Sequence, residues 1–164
     1  MSGRDSEKAP ARPRCMVVTI AGARYALPLD GVQEVIAPRP LARVFHAPPL
    51  VAGVMSLRGE VLPVLEPALL LAGTPIAELD GSIVVVRDSA AGGRRAGLRV
   101  SELAGLREVS EQGLAPPPAT LPEHVAALIA GVLPEPPPCA VLDIRALLDV
   151  PELAPFAGHA IPAV

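Results

Sequence analysis

Aromatic residues are nearly absent from the sequence. Among 164 residues there are two Phe, one Tyr and no Trp, and the net charge is only −3. Proteins that bind nucleic acids need positive charge and usually stack aromatic rings on bases, so this composition argues against that class. The core has to be built from the Val, Leu, Ile and Ala that make up much of the 51% hydrophobic fraction.

Cysteines and long apolar runs are scarce as well. Cys15 and Cys139 lie far apart in the chain, which predicts two buried thiols in a reducing compartment. The longest apolar run, 125–133, is bracketed by prolines and is too short for the roughly 18–20 residues that span a bilayer. Residues 1–14 are polar, without the apolar stretch of a signal peptide. The sequence therefore predicts a soluble, cytoplasmic protein.

Proline, by contrast, is abundant, with 21 residues spread along the chain. Because proline lacks an N–H group and resists long helices, we expect short elements joined by many turns. The length fits one domain with a substantial core. We expect a disordered tail over 1–14, the domain over 15–150 and a C-terminal tail over 151–164.

Apolar runs and turn signals predict a mostly β fold. Eight to ten short strands, with turns every 8–12 residues, are typical of a sandwich or barrel. Clear strands are expected over 15–20, 23–29, 51–57, 60–65, 82–88 and 139–144, and short helices over 66–73 and 143–150, the latter capped by Asp143.

Three segments allow more than one interpretation. Residues 29–36 fit either a helical turn capped by Asp30 or a continued strand. Residues 95–109 fit one bent strand or two short ones. Residues 122–133 begin as a helix and become a strand near Gly131.

The sequence contains no complete motif for catalysis, metal binding or phosphate binding. The stretch AAGGRRAG at 90–97 lacks the lysine and the following helix of a phosphate loop, and a hairpin tip explains it better. His46, His124 and His159 have no partner at metal-ligand spacing. Ser56 does not lie in a nucleophile elbow. We expect neither an enzyme nor a cofactor or metal site.

One charged residue interrupts an otherwise apolar segment. The stretch VAGVMSLRGEVLPVLEP at 51–67 predicts two strands joined by a turn at Arg58-Gly59, where Gly59 supplies the positive φ that tight hairpins need. Pro63 cannot donate to a sheet ladder, so its strand is expected to be an edge or to carry a bulge. Arg58 is then either a solvated charge at a hairpin tip or an arginine presented rigidly to a partner.

The pattern of residues around this hairpin resembles the CheW-like domain of bacterial chemosensory systems. The resemblance rests on the order GARYALPLDGVQEV at 22–35, APPLVAGVMSLRGEVLPVL at 47–65, IVVV at 83–86, GLRVSELAGLREV at 97–109 and LIAGV with AVLDIRALL within 128–148. It implies two intertwined SH3-like β-barrels of about five strands each, one of them mostly within residues 30–86. It further implies a stand-alone, non-enzymatic adaptor between chemoreceptor tips and the histidine kinase CheA.

The resemblance also implies which residues bind partners. Carried over by position, the receptor-contacting residues would be Val32, Glu34, Gly53, Arg58 and Leu103. The positions used against the kinase would be those of Ala115 and Thr120.

The chain departs from the family pattern in two places. Glu66 stands where an aspartate is usual, and Ala68 where an arginine is common. Ala115 and Thr120 replace a basic and an aromatic residue, which makes kinase contact less secure than receptor contact. The alternative is a divergent scaffold that binds receptors or other CheW-like domains but not the kinase.

Overall fold

The computed structural model describes residues 12–73, 81–88 and 93–156, without the side chains of Ala154 and Phe156. These residues form ten strands, three short α-helices and two 3-10 helices. The strands are β1 (Arg14–Ile20), β2 (Ala23–Pro28), β3 (Val32–Ile36), β4 (Val51–Leu57), β5 (Glu60–Leu65), β6 (Ile83–Arg87), β7 (Arg95–Arg99), β8 (Glu102–Glu108), β9 (Ile129–Leu133) and β10 (Cys139–Leu142). The α-helices are α1 (Pro67–Leu71), α2 (Glu123–Ala126) and α3 (Ile144–Leu148), and the 3-10 helices span Leu29–Gly31 and Pro151–Phe156.

The strands are arranged in two five-stranded sheets, and the segment that forms the second is inserted into the sequence of the first. The first sheet has the order β8-β1-β2-β10-β9 and the second the order β3-β6-β7-β5-β4. The predicted mostly β fold with two intertwined five-stranded units is confirmed. The second sheet runs to Arg99, beyond the predicted boundary near residue 86, because β7 pairs with both β5 and β6.

Each sheet contains one tight hairpin, and the two hairpins have the same turn geometry. Ala21 and Gly22 join β1 to β2 with φ of 50° and 80°, and Arg58 and Gly59 join β4 to β5 with φ of 51° and 81°. Positive φ at both central residues is the pattern of a type I′ turn, whose twist matches that of the flanking strands. The two-residue spacing in the sequence had predicted both turns.

A central apolar cluster joins the two sheets. It includes Val18 and Leu27 from the first sheet and Val84 and Leu98 from the second, all with no more than a trace of exposed surface. A separate small cluster lies within each sheet's own barrel. Because the central cluster takes side chains from both sheets, neither sheet has a complete core without the other.

Both cysteines lie in the small cluster of the first sheet. Cys15 and Cys139 are buried free thiols, as predicted. Burial raises the pKa of both thiols, and the neighbouring Cys139 raises the pKa of Cys15 further. Both side chains therefore remain protonated and apolar near neutral pH.

The ambiguous segments turn out to contain more than one element each. Residues 29–36 form a 3-10 turn and then β3, and residues 95–109 form the two strands β7 and β8. The expectation that Asp30 caps a helix was wrong, since Asp30 lies inside the turn that follows Pro28. Asp143 does cap α3, because its carboxylate accepts a hydrogen bond from the N–H of Ala146 at 3.1 Å.

The prediction for Pro63 needs correction. Its strand β5 is not an edge, since it lies between β4 and β7. The bulge lies on the partner strand, between Val51 and Gly53. Pairing of β5 with β7 involves Val64 and Leu65, just past Pro63, so the missing N–H costs no ladder hydrogen bond there.

The ends of the described region differ from the expected tails. Strand β1 begins at Arg14, within the expected N-terminal tail of 1–14, whose first eleven residues lie outside the described residues. At the other end, Leu153 in the helix Pro151–Phe156 is buried in the central cluster. The predicted turn at 90–97 falls partly outside the described residues. Within them, none of the helices is long and apolar enough to cross a membrane.

Candidate functional site

The β4–β5 hairpin presents Arg58 at its tip. Both turn residues are exposed, and the Arg58 side chain retains 78% of its accessible surface. The strands on either side are anchored by buried residues, among them Met55 and Leu62. The base of the hairpin is therefore rigid while the guanidinium remains in solvent.

Arg58 is also held in place from one side. One of its guanidinium nitrogens lies 3.4 Å from both carboxylate oxygens of Glu34 on β3. Strands β3 and β4 are the two outer strands of the second sheet, so this ion pair joins the two ends of the sheet across the barrel. An exposed pair of this kind contributes little stability, but it orients both side chains.

A second arginine lies beside this pair. Arg95 on β7 forms an ion pair with Glu60 and donates a hydrogen bond to the Gln33 side chain at 3.4 Å. The β3–β6 register shifts between Val32 and Glu34, so Gln33 sits in a bulge. The bulge lets consecutive residues of β3 contact two different arginines.

Gly53 lies beneath a crossing segment of chain. A Cβ atom there would come within 2.7 Å of the carbonyl oxygen of Ala42 and 2.8 Å of the Cβ of Leu41. Ala42 pairs with Val54 through two backbone hydrogen bonds of 2.9 Å. Gly53 thus allows residues 41–42 to lie on β4. Its own part in receptor contact stays a prediction.

Val32 and Leu103 lie on different sheets. Val32, half-buried at the start of β3, packs against the central cluster. Leu103 on β8 pairs with Val18 of that same cluster and is 41% exposed. The two residues therefore border the junction of the sheets, whereas Glu34 and Arg58 lie at the hairpin end of the second barrel.

Ala115 and Thr120 lie on the first barrel, apart from the hairpin. Ala115 forms a two-way backbone bridge with Val132 of β9, with hydrogen bonds of 2.8 Å. Thr120 is exposed in the turn that precedes α2. Next to Ala115, Leu114 lines a mostly apolar cleft of about 670 Å³ together with Cys15 and other residues.

The two departures near Glu66 have a structural explanation. Glu66 is 3% exposed and forms an ion pair of 3.0 Å with Arg99 of β7. Ala68, at the start of α1, is completely buried. Glu66 and Ala68 therefore belong to the packing between α1 and the second sheet, and a charge at position 68 would have no room.

Sequence reasoning missed the two most exposed large apolar residues of the described chain. Phe45, in the segment before β4, is 88% exposed, and Leu106 on β8 is 55% exposed. The signal for Phe45 was its rarity, since the chain has only two Phe. For Leu106 the signal was Gly105, because a glycine inside a strand often marks a bulge that changes which side chains share a face.

The fold and these surfaces define a class of protein. Two interleaved β-barrels offer an arginine on a rigid hairpin and apolar side chains at the junction of the sheets. Within the described residues no three His, Cys, Asp or Glu side chains are grouped to hold a metal ion. Rigid barrels with exposed anchor residues of this kind are typical of a domain that binds other proteins.

The comparisons with known proteins identify the family. The sequence model of the CheW-like domain matches residues 14–152, and the chain belongs to this family. A solved structure with the same fold is the scaffolding protein TtCheW from Thermoanaerobacter tengcongensis. It superposes with a TM-score of 0.76 at 21% sequence identity, over 89% of this chain and 94% of that one. No curated protein matched the sequence.

Proposed function

We propose that this chain is a cytoplasmic, non-enzymatic adaptor that couples the signalling tips of chemoreceptors to a CheA-type histidine kinase within receptor arrays. Family membership over residues 14–152 supports the class of function. Receptor binding is proposed mainly because Arg58 is held at a rigid turn and is oriented by Glu34.

The receptor-binding residues in this proposal fall into two groups, a charged one and an apolar one. Arg58 and Glu34 supply charge at the hairpin end, where an arginine can bind carboxylates or the carbonyls at a helix end. Val32 and Leu103 supply apolar contact at the junction of the sheets. The tip of a receptor coiled coil, with apolar and charged side chains on one surface, has the chemistry to bind both parts.

The kinase half of the proposal rests on the first barrel. Ala115 and Thr120 are small or weakly polar, so they offer neither a charge nor an aromatic anchor. The apolar cleft beside Leu114 could nevertheless accept an apolar side chain of the kinase regulatory domain. Contacts of this size are weak singly, with micromolar affinity or poorer, and gain strength from the many linked copies of an array.

A scaffold that does not bind the kinase is the second candidate. Ala115 favours it, because its backbone is already paired with Val132 and its side chain is a single methyl group. Such a protein would bind receptors or other CheW-like domains and would affect array assembly without carrying the signal to the kinase.

Two titrations separate these candidates. The purified chain is titrated by calorimetry with a receptor signalling tip and, separately, with the regulatory domain of CheA, each up to about 100 μM, a range suited to micromolar binding. Binding to both supports the adaptor, and binding to the receptor alone supports the scaffold. Absence of receptor binding contradicts the adaptor and leaves only a scaffold that binds other CheW-like domains.

A further inference from the structure

We propose that Arg95 is a positioning residue for Arg58, because it joins the two chain segments that carry Arg58 and Glu34. The part of this inference that concerns receptor binding rests on the proposed function. It adds Arg95 and Gln33 to the residues on which receptor binding depends. Arg95 acts through Arg58, so its replacement weakens receptor binding without removing a contact to the receptor.

The guanidinium of Arg95 binds two strands of the second sheet at once. One of its terminal nitrogens donates a hydrogen bond to the side-chain oxygen of Gln33 on β3 at 3.4 Å. The other forms an ion pair with the carboxylate of Glu60 on β5. In this sheet β7 lies between β6 and β5, and β3 lies beyond β6. Arg95 therefore links strands that lie on opposite sides of its own strand.

Both partners of Arg95 are near neighbours of the charged residues proposed to bind receptors. Gln33 directly precedes Glu34, and Glu60 stands two residues after Arg58. Across the gap between these two segments, one Arg58 nitrogen lies 3.4 Å from both carboxylate oxygens of Glu34. Arg95 thus connects the two segments right beside the point where Arg58 meets Glu34.

The ion pair between Arg58 and Glu34 orients two side chains but does little to hold their segments together. The Arg58 side chain is 78% exposed, and exposed ion pairs contribute little energy because water competes for both charges. The Arg95 side chain is only 23% exposed, so its contacts are better shielded from water. The shielded arginine is suited to hold the structure, and the exposed one to bind a partner.

Strand β3 needs a contact of this kind at Gln33. The register of β3 with β6 places Val32 opposite Val86 and Glu34 opposite Val85, which leaves Gln33 without a partner in the ladder. Such a bulge disrupts the local backbone pairing. The contact with Arg95 therefore fixes the bulge from its side chain, and the bulge in turn sets the direction of the next side chain, that of Glu34.

The variant Arg95→Lys separates positioning from charge. A lysine keeps the positive charge beside Glu60, but its single ammonium group replaces the planar fork that reaches both partners. In urea unfolding we expect a midpoint like that of the wild type. In calorimetry with the receptor signalling tip we expect an affinity about three- to tenfold lower, the size of coupling usual within one hydrogen-bonded network.

The variant Gln33→Leu makes the same test from the other partner, because it removes one arm of the fork and leaves every charge in place. It should lower the affinity for the tip by about the same factor. Gln112→Leu, at the other glutamine of the chain, and Arg12→Lys, at the exposed ion pair with Glu111, are the matched controls and should bind like the wild type. Wild-type affinity in both Arg95→Lys and Gln33→Leu overturns the proposal.

A double variant tests whether Arg95 acts through Arg58. In an Arg58→Ala background the further change Arg95→Lys should lower the affinity for the tip by less than about twofold, since the side chain that it positions is gone. If the two losses multiply in full, Arg95 acts on the receptor independently of Arg58, and the proposal is overturned.

Hydrogen exchange of the free protein tests the positioning without any receptor. The backbone amides of 32–36 and 57–61 should exchange about tenfold faster in Arg95→Lys and in Gln33→Leu, because lost local contacts raise the population of the open form. The amides of β2 in the first sheet should keep their wild-type rates. Unchanged exchange in 32–36 and 57–61 overturns the proposal. If the wild type fails to bind the receptor tip, the proposed receptor function fails, while the exchange rates still decide whether Arg95 holds the two segments.

Discussion

Backbone conformation at single residues determines where the chain can offer a side chain to a partner. Arg58 has a φ of 51°, a region that costs most non-glycine residues energy. The chain tolerates that conformation because the hairpin β4–β5 requires it and Gly59 shares the turn. The same geometry at Ala21-Gly22 carries no large side chain. The arginine is therefore not needed for the turn, which is consistent with a role in binding.

Substitution of Arg58 by Ala tests that role. We expect the free energy of unfolding to change by at most about 0.5 kcal/mol, because the side chain is exposed and its ion pair with Glu34 is weak. Binding of the receptor tip should weaken by about 1–3 kcal/mol if Arg58 is an anchor. Calorimetry and urea unfolding measure the two quantities.

The matched control for Arg58 is Arg24→Ala. Arg24 is an exposed arginine next to the equivalent hairpin of the first sheet. Its removal should affect neither stability nor receptor binding. An Arg58→Ala protein that is folded and binds the receptor tip with unchanged affinity would show that Arg58 is merely a solvated charge at a hairpin tip.

At the scale of elements, the segment between β3 and β4 is fixed by one close approach. Ala42 can pair with Val54 only because position 53 has no side chain. This pairing sets the position of the segment that carries Phe45 relative to the barrel. Gly53 therefore controls an exposed surface although it is itself buried.

Substitution of Gly53 by Ala should displace this segment. The added Cβ would overlap backbone and Cβ atoms that cannot rotate away, so we expect a loss of about 2 kcal/mol or more in the free energy of unfolding. Gly59→Ala is the control, since its Cβ would meet no atom within 4 Å and only its positive φ is unfavourable, at about 1 kcal/mol. Equal losses in the two variants in urea unfolding would show that the close approach at Gly53 is not maintained in solution.

At the scale of the whole molecule, the two barrels depend on each other. The second sheet is made from one continuous part of the chain, inserted between β2 and β8 of the first. The central cluster combines side chains of both, such as Leu27 and Leu98. Neither barrel can unfold without exposing the apolar surface of the other.

We therefore expect a single cooperative unfolding transition. Tyr25 on β2 is the only Tyr in a chain without Trp, so tyrosine fluorescence reports on the first barrel alone, while far-UV circular dichroism reports on both. The two urea curves should coincide. Leu98→Ala, in the second sheet, should cost about 2–5 kcal/mol and shift both curves equally. Tyrosine fluorescence that keeps its wild-type midpoint in this variant would show that the barrels unfold independently.

The sequence by itself determined the local structure and the fold class. Prolines and glycines limited the length of the elements, and the two-residue spacings at Ala21-Gly22 and Arg58-Gly59 determined both hairpins. These predictions held because turn conformation and hairpin register depend on neighbouring residues. The motifs spread over residues 22–148, with SLRG among them, also indicated the family.

Only the tertiary structure decided which strands are neighbours and which side chains meet. Pro63 was expected at an edge or a bulge, but its strand is internal, because the position of β7 depends on contacts distant in sequence. Nor could sequence spacing reveal that Glu34 reaches Arg58 across the ends of the second sheet. The bulge between Leu103 and Gly105 likewise depends on the pairing of β8 with β1. Pairings between strands far apart in the chain leave little trace in local patterns, and in this protein they build both parts of the candidate receptor-binding surface.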